Sequence, residues 1–338
     1  MKALYYPAFD ELVVTERPDP APGPGEVLVR VAACGLCGSE LETFKARSPR
    51  RTPPLVMGHE FCGTIEALGP SVDGVEVGAR VVSHSLVPCG QCVRCRRGDT
   101  HLCAHRQIFG MHRPGAFAEF VPVPARCLMP WPEGLPAEAA CLAEPLANGV
   151  HMVHLTQAWR PRTVLVIGAG PIGLMAQQAY QTMAGAEVVV ADLSPERRAV
   201  ADRLGAAQTF DPREADPVAV MHARTDGEGA DVVIDAVGLG LTKRQSITAT
   251  RPGGAAVWIG LHEDAVTFDS YAVTLPERHV LGTYAATQAE LADAVGLMAS
   301  GRVDVTSWPT VFPLDAGVEA FHRMLDARGA DLKAVLVP

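Results

Sequence analysis

TVLVIGAGPIGL, residues 163–174, joins a run of β-branched residues to a glycine-rich turn and a second apolar segment. This order predicts a β-strand, a tight turn and the first turn of a helix. Gly168 permits the turn, Gly170 lets a pyrophosphate approach the backbone, and Gly173 allows the helix to pack closely on the strand. Because a helix N-terminus also presents N–H groups to phosphates, the stretch predicts a dinucleotide-binding site.

A carboxylate after the next predicted strand bears on the choice of dinucleotide. Asp192 closes the run VVVAD about 20 residues after the last glycine, where it can accept both ribose hydroxyls. It would repel a 2′-phosphate, so NAD is favoured over NADP, although Arg197 and Arg198 weaken the preference. The alternative is a nucleotide-free α/β domain in which Asp192 caps a helix. The predicted cofactor-binding residues are Gly168, Gly170, Pro171, Ile172, Gly173, Asp192 and Arg197.

Strand-like and helix-like segments alternate from residue 163 to about residue 260. Alternation of this kind predicts a parallel sheet wound on both faces by right-handed crossovers. Before about residue 148 the pattern differs, because short β-rich runs such as EVLVRV (26–31) are separated by turn residues. The predicted fold class is therefore α/β, with a β-rich domain and a doubly wound parallel sheet.

Composition and charge exclude some classes of binding partner and indicate the cellular compartment. The 338 residues carry a formal net charge of −9, which would repel a nucleic-acid backbone. The most apolar stretch, residues 163–180, is broken by three glycines and a proline, so no membrane span is expected. The N-terminus lacks a signal-peptide pattern, and nine cysteines are an odd number, which argues against a disulfide framework. A cytoplasmic protein is expected.

Four of the cysteines lie close together with the spacing C-x2-C-x2-C-x7-C. Thiolates at this spacing can close a tetrahedral shell around zinc and leave no position for a substrate, so a structural zinc site is predicted. Free buried thiols and an iron–sulfur cluster are the alternatives, although ferredoxin-type runs lack the x7 tail. The predicted ligands are Cys89, Cys92, Cys95 and Cys103.

Six motifs resemble, in their order along the chain, those of the zinc-dependent medium-chain dehydrogenases, particularly the sorbitol (polyol) dehydrogenase-like branch. They are CGLCGS (34–39), GHEFCG (58–63), the four-cysteine lobe, GAFAEF (115–120), EPLANGVH (144–151) and GAGPIG (168–173). The resemblance implies a GroES-like catalytic domain formed by both chain ends, at residues 1–147 and 285–338, with a structural zinc lobe at about 85–105. A Rossmann NAD-binding domain, residues 148–284, would be inserted between them.

The resemblance also assigns roles to residues that are uninformative one by one. Cys37 and His59 match the family's catalytic zinc ligands. Glu144 takes the position that polyol-type members fill with glutamate. Glu60 matches a carboxylate that either ligates the ion or stands behind it, so the choice between Glu60 and Glu144 stays open.

The implied reaction is hydride transfer between a secondary alcohol, polyol or sugar-alcohol-like, and NAD, with two zinc ions in each chain. Ser39 aligns with the hydroxyl that relays the alcohol's proton towards solvent. Glu42 stands where relatives often carry histidine, and is either part of that relay, a base, or a solvated helix residue. By analogy with the family, a homodimer or homotetramer is expected.

Two departures from the family bear on the substrate: Thr43 and the Ala285-Ala286 region stand where polyol dehydrogenases commonly carry an aromatic residue and an arginine. A basic run before the GHE motif is consistent with an acidic or phosphorylated alcohol, or with a solvated loop. This run comprises Lys45, Arg47, Arg50 and Arg51. Two rival functions are a zinc-free quinone or enone reductase, which would lack the cysteine lobe, and a non-catalytic nucleotide-binding protein.

Overall fold

The computed structural model describes residues 1–326 and 331–338. In chain order the strands are β1 (Lys2–Ala8), β2 (Glu11–Glu16), β3 (Glu26–Gly35), β4 (Leu55–Val56), β5 (Glu60–Leu68), β6 (Arg80–Ser83), β7 (Leu86–Val87), β8 (Gln107–Ile108), β9 (Phe120–Pro124), β10 (Leu128–Pro130), β11 (Thr163–Ile167), β12 (Glu187–Ala191), β13 (Gln208–Phe210), β14 (Ala230–Asp235), β15 (Thr250–Trp258), β16 (His279–Gly282), β17 (Thr310–Pro313) and β18 (Ala334–Val337). The helices are α1 (Gly38–Lys45), α2 (Val93–Arg96), α3 (Ala137–Ala140), α4 (Ala143–Thr156), α5 (Pro171–Ala179), α6 (Pro195–Arg203), α7 (Pro217–Arg224), α8 (Gly240–Ala249), α9 (Tyr271–Thr274), α10 (Gln288–Ala299) and α11 (Gly317–Asp326).

These elements form two compact units. The first contains Met1–Glu144 together with the C-terminal segment that starts at Thr287, and the second contains Pro145–Ala286. Among the described residues, no helix combines the length and the apolar character that crossing a membrane requires.

The second unit contains a six-stranded parallel sheet in the order β13-β12-β11-β14-β15-β16. Numbered from β11, this is the order 3-2-1-4-5-6 of the doubly wound nucleotide-binding fold. Strands β11, β12 and β14 are buried over almost their whole length, as expected for parallel strands that are covered on both faces. The predicted Rossmann-type sheet is confirmed.

The glycine-rich turn connects β11 to α5 as the sequence predicts. Gly168 has a φ of +100°, which L side chains rarely adopt. A Cβ on Gly173 would lie 1.8 Å from the carbonyl oxygen of Gly168, so only glycine allows the helix to approach the turn this closely. Gly170 is the N-cap of α5, and Pro171 follows at the first helical position, where its missing N–H is not needed.

The first unit is built on sheets whose strands are antiparallel except for the parallel pair β17 and β18. Its larger sheet has the order β10-β6-β5-β3-β18-β17, with β9 also paired to β3, and a smaller sheet has the order β2-β1-β4. Strand β18 comes from the C-terminus and pairs with β3 near the N-terminus, so both chain ends form this unit. Its core includes Val29, Phe61, Phe117 and Leu336. The predicted GroES-like β-rich fold is confirmed.

Candidate metal and cofactor sites

The four lobe cysteines converge although the lobe has little regular structure of its own. Their sulfur atoms all lie within 4.8 Å of one another. The sulfur of Cys92 is 3.5 Å from that of Cys95 and 3.9 Å from that of Cys103, and Cys89 and Cys95 are 4.0 Å apart. Zinc–sulfur bonds of about 2.3 Å in a tetrahedron place sulfurs about 3.8 Å apart, so the spacing fits zinc.

The charges of this cluster also call for a cation. Backbone N–H groups, first that of Cys95, lower the pKa of Cys92 to about 6. Burial and the neighbouring thiols raise the pKa of Cys95 to about 12. Four thiolates this close together require a cation to neutralise their charge. The N–H groups of Cys89 and His105 donate to Cys103 Sγ at 3.3 Å, which also favours a thiolate there.

A second cluster combines Cys37, the N-cap of α1, with His59 and Glu60 at the start of β5. One donor atom from each residue lies within 4.8 Å of the other two. Gly58, with a φ of +101°, turns the chain into β5, and a Cβ there would lie 2.7 Å from the backbone nitrogen of Phe117. A thiolate, an imidazole and a carboxylate are donors that zinc accepts at catalytic sites.

Glu40 holds this cluster together from behind. Its Oε1 lies 3.0 Å from His59 Nδ1 and accepts the N–H of Gly58 at 2.8 Å, while its Oε2 accepts the N–H of Cys37 at 3.0 Å. Burial would raise the pKa of Glu40, but His59, Arg51 and the backbone N–H of Cys37 together lower it to about 2. Both Glu40 oxygens accept backbone N–H groups, so the carboxylate acts as an acceptor and His59 Nδ1 donates to it, which would leave Nε2 for a metal ion.

The two remaining candidate carboxylates have different partners. Glu60 forms a buried ion pair with Lys333, a residue of the C-terminal segment that is 2% exposed. Glu144 lies at the start of α4 and accepts the Ser85 hydroxyl at 2.6 Å. Glu60 belongs to the cluster with Cys37 and His59, and among the described residues that cluster does not include Glu144.

Ser39 and Glu42 lie on α1 beside this cluster. The Ser39 hydroxyl donates to Cys37 Sγ at 3.3 Å, whereas the Glu42 side chain is exposed. The basic run divides: Lys45 and Arg50 are exposed, Arg47 pairs with Asp10, and Arg51 is buried.

The dinucleotide motif is complete within the second unit. Asp192 follows β12, and its carboxylate accepts the N–H groups of Ala169 at 2.7 Å and Ser194 at 2.8 Å, so it is tied to the glycine turn. Arg198 donates to Asp211 and to the carbonyl oxygen of Asp192. The Arg197 side chain has a buried Nε with no hydrogen-bond partner among the described residues.

Sequence reasoning missed Glu40 and Lys333 at the first unit's site, and it named Arg51 only as one member of the basic run. A signal for Glu40 was present, because the spacing Cys37-x-x-Glu40 is that of an N-cap residue and a helix residue whose side chain reaches back to it. Lys333 is remote in sequence from its partner, and nothing in the run of four basic residues distinguishes Arg51 from the others.

Two family models match the chain. An alcohol dehydrogenase GroES-like domain matches residues 23–133, and a zinc-binding dehydrogenase model matches residues 171–300.

The chain is also similar to individual proteins over most of its length. It is 36% identical to L-galactonate-5-dehydrogenase of Escherichia coli K12 over 315 residues, 93% of this chain and 92% of the relative. It is 39% identical to L-threonine 3-dehydrogenase of Pyrococcus horikoshii over 254 residues, 74% of this chain and 72% of the relative.

Solved structures agree with these relatives. A candidate zinc-binding dehydrogenase of Sinorhizobium meliloti 1021, bound to NADP, superimposes with a TM-score of 0.92 at 30% identity, covering 100% of this chain and 99% of the other. A protein described as a short chain alcohol dehydrogenase of Escherichia coli CFT073, in complex with NADH, gives a TM-score of 0.92 at 26% identity, with 100% and 99% coverage. The chain therefore belongs to the zinc-dependent medium-chain alcohol dehydrogenase family and is an oxidoreductase that acts on alcohols with zinc and NAD(P).

Proposed function

We propose that this enzyme oxidises a secondary hydroxyl group of a polyol or sugar-alcohol-like substrate and transfers the hydride to NAD. The observation that carries the proposal is the cluster of Cys37, His59 and Glu60, whose donor atoms lie within 4.8 Å of one another. Zinc bound there supplies a Lewis acid that polarises the substrate oxygen. A second zinc ion, held by Cys89, Cys92, Cys95 and Cys103, would be structural.

Glu60, a member of the cluster, and Glu144, outside it, are both candidates for the third protein ligand. Glu60 is supported by its distance to Cys37 and His59, and Lys333 balances its charge. Glu144 is supported by its hydrogen bond from Ser85, which orients its carboxylate. Zinc content of Glu60→Gln and Glu144→Gln would separate the two, because removing the ligand lowers the zinc bound at this site.

The proton of the alcohol leaves through Ser39 in this proposal. The Ser39 oxygen accepts the substrate's hydroxyl proton while its own proton passes to water, so the residue ends unchanged as hydride leaves the carbon for NAD. The position of Ser39, 3.3 Å from Cys37 Sγ, supports this role. Glu42 is exposed, so any contribution it makes would be at the solvent end of the path.

The cofactor would bind at the glycine turn of the second unit. Gly168, Gly170 and Gly173, with Pro171 and Ile172, form the turn and the first turn of α5. Asp192 supports NAD over NADP, because an ionised carboxylate there would repel a 2′-phosphate. Arg197 is the remaining cationic candidate, since Arg198 already pairs with Asp211.

The experiment is a turnover assay on zinc-loaded protein that follows nicotinamide absorbance with NAD and NADP separately. The alcohols are sorbitol, L-galactonate, L-threonine, galactitol 1-phosphate and 2-butanol, and Cys37→Ser is the inactive control. We expect turnover of a polyol or sugar acid, with kcat/KM for NAD at least about tenfold above that for NADP, a difference of about 1.4 kcal/mol. If none of these alcohols is turned over while zinc and NAD are bound, the proposed substrate class is wrong.

An acidic alcohol is a second candidate, since the relatives act on L-galactonate and L-threonine by their names. Turnover of galactitol 1-phosphate alone would favour a phosphorylated substrate instead. Reduction of a quinone by zinc-free protein would favour the reductase reading.

Three broader assignments are part of the same proposal. Residues 1–147 and 285–338 would form the catalytic domain and residues 148–284 the cofactor domain. A homodimer or homotetramer would pair through β16, which lies at an edge of the parallel sheet as the structure describes it, close in sequence to the exposed Tyr271 and Leu275. Light scattering would check the assembly. A cytoplasmic location is supported by nine cysteines without a disulfide.

A further inference from the structure

Arg51 is buried although it belongs to a basic segment in the loop between α1 and β4. Its side chain is 2% exposed, whereas the adjacent Arg50 is exposed. Burying a guanidinium is costly unless hydrogen bonds replace its hydration. The partners of Arg51 therefore indicate what the residue does.

Two of the four hydrogen bonds that the guanidinium donates go to one residue of α1, Ser39. Arg51 Nη2 donates to Ser39 Oγ at 3.2 Å, and Nη1 donates to the Ser39 carbonyl oxygen at 2.7 Å. Nη1 also donates to Thr43 Oγ1 at 3.0 Å, and Nε to the Gly110 carbonyl oxygen at 3.1 Å. Because a guanidinium is planar and rigid, these bonds hold the backbone and the hydroxyl of Ser39 at once.

Before proton transfer, the hydroxyl of Ser39 therefore has one preferred orientation. A serine hydroxyl has one proton and two lone pairs. Arg51 occupies one lone pair, and the proton is directed to Cys37 Sγ at 3.3 Å. One lone pair remains, and its direction is set by the other two contacts.

We propose that Arg51 is a positioning residue for proton transfer. Its guanidinium holds Ser39 so that the remaining lone pair of the hydroxyl accepts the alcohol's proton, while the hydroxyl's own proton turns from Cys37 Sγ to water. This inference rests on the proposed function, in which Ser39 relays that proton. Small misplacements of a group that transfers a proton lower rates by about ten- to a hundredfold. Arg51 touches neither substrate nor cofactor in this role, and acts through Ser39.

The test is a double-mutant cycle between Arg51→Lys and Ser39→Ala. Lysine keeps the charge but lacks the planar fork that reaches both atoms of Ser39. The readout is the single-turnover rate of NADH formation, because product release often limits the steady-state rate and hides the hydride-transfer step. The substrate is the fastest alcohol among sorbitol, L-galactonate, L-threonine, galactitol 1-phosphate and 2-butanol. Zinc content and the thermal unfolding midpoint are measured for every variant, and Arg50→Lys is the matched control.

We expect Arg51→Lys to lower the hydride-transfer rate about ten- to a hundredfold, with the KM for the alcohol and the zinc content little changed. In the Ser39→Ala background the same substitution should change the rate less than about twofold, because the group that Arg51 positions is gone. Thr43→Val removes one acceptor of Arg51 and should lower the rate a few-fold, again only when Ser39 is present. This second variant keeps the test available if Arg51→Lys does not fold.

Two results would overturn the inference. One is an Arg51→Lys rate within about twofold of wild type, and the other is an equal loss in both backgrounds, which would mean that Arg51 only supports the loop. If Ser39→Ala itself keeps the wild-type rate, the relay in the proposed function fails as well. A lowered Ser39→Ala rate beside an unaffected Arg51→Lys would leave the relay standing and reject the positioning role alone.

Discussion

Glu40 binds three groups at the candidate metal cluster with one carboxylate: His59 Nδ1 and the N–H groups of Gly58 and Cys37. We predict that Glu40→Gln lowers zinc affinity at the catalytic site about 10–100-fold, because partners behind a metal-bound histidine orient it and raise its basicity. Chelator competition measures this affinity. The exposed Glu133→Gln should leave it unchanged, and equal affinities in the two variants would contradict the prediction.

Asp192 is the residue that we expect to select NAD. Asp192→Ser removes the charge that opposes a 2′-phosphate, so the ratio of kcat/KM for NAD to that for NADP should fall at least about tenfold. Absolute NAD affinity should fall as well, because the carboxylate also accepts the N–H of Ala169 in the glycine turn at 2.7 Å. Fluorescence titration with each dinucleotide separates the two effects. An unchanged ratio would assign the selection to another residue.

Two glycines of the turn between β11 and α5 have different roles: Gly173 allows close packing, and Gly170 leaves space for the pyrophosphate. A Cβ on Gly173 would lie 1.8 Å from the Gly168 carbonyl oxygen, whereas a Cβ on Gly170 would meet no described atom within 4 Å. Gly173→Ala should therefore lower the free energy of unfolding of this unit by about 1–3 kcal/mol, the range for overpacking. Gly170→Ala should fold normally and lose NAD affinity, because its methyl group would occupy the space of the pyrophosphate. Thermal unfolding and NAD titration of both variants decide the matter.

We expect the four-cysteine lobe to depend on a bound zinc ion, because its helix, α2, is only four residues long. Such a segment has no independent helical stability. We predict that Cys103→Ser reduces bound zinc from two ions per chain to one and lowers the thermal unfolding midpoint. Cys127 is equally buried but lies outside the cluster, so Cys127→Ser should keep both ions. Loss of zinc in both variants would contradict a site formed by the four lobe cysteines.

Stability of the second unit against acid should depend on Asp231. This carboxylate accepts the N–H groups of Arg162 and Thr163 and pairs with Arg251, so it connects β11, β14 and β15. Burial would raise the pKa of Asp231, but the hydrogen bonds from Arg251 and the backbone outweigh it and lower the pKa. The stabilisation is present above the unfolded-state pKa of about 3.9 and is lost as pH falls through the folded-state value.

Asp231→Asn should therefore destabilise this unit at neutral pH and weaken its pH dependence below about pH 4. Hydrogen exchange of the β11 and β14 amides reports on this unit alone, which matters because a chain with two units need not unfold in one step. The exposed Asp226→Asn is the matched control. Parallel pH profiles of wild type and Asp231→Asn would contradict the prediction.

Local patterns in the sequence determined the fold class and the four-cysteine group of candidate ligands. The strand, turn and helix around Gly168, and the spacing from Cys89 to Cys103, depend on neighbours within a few residues, so the chain alone defines their geometry. The motifs around Cys37 and His59 named the second cluster only through the resemblance to a family. Neither could distinguish Arg51 from Arg50, because both lie in the same basic run.

Tertiary structure decided which charges are buried and with whom they pair. Arg51 is withdrawn from solvent and bound to Ser39, Glu40 connects His59 to Cys37, and Lys333 from the C-terminal segment reaches Glu60. A charged side chain is stable in the interior only beside partners that offset its lost hydration. Those partners come from distant parts of the chain, through the pairing of β18 with β3 and the packing of the loop after α1, so only the folded molecule reveals them.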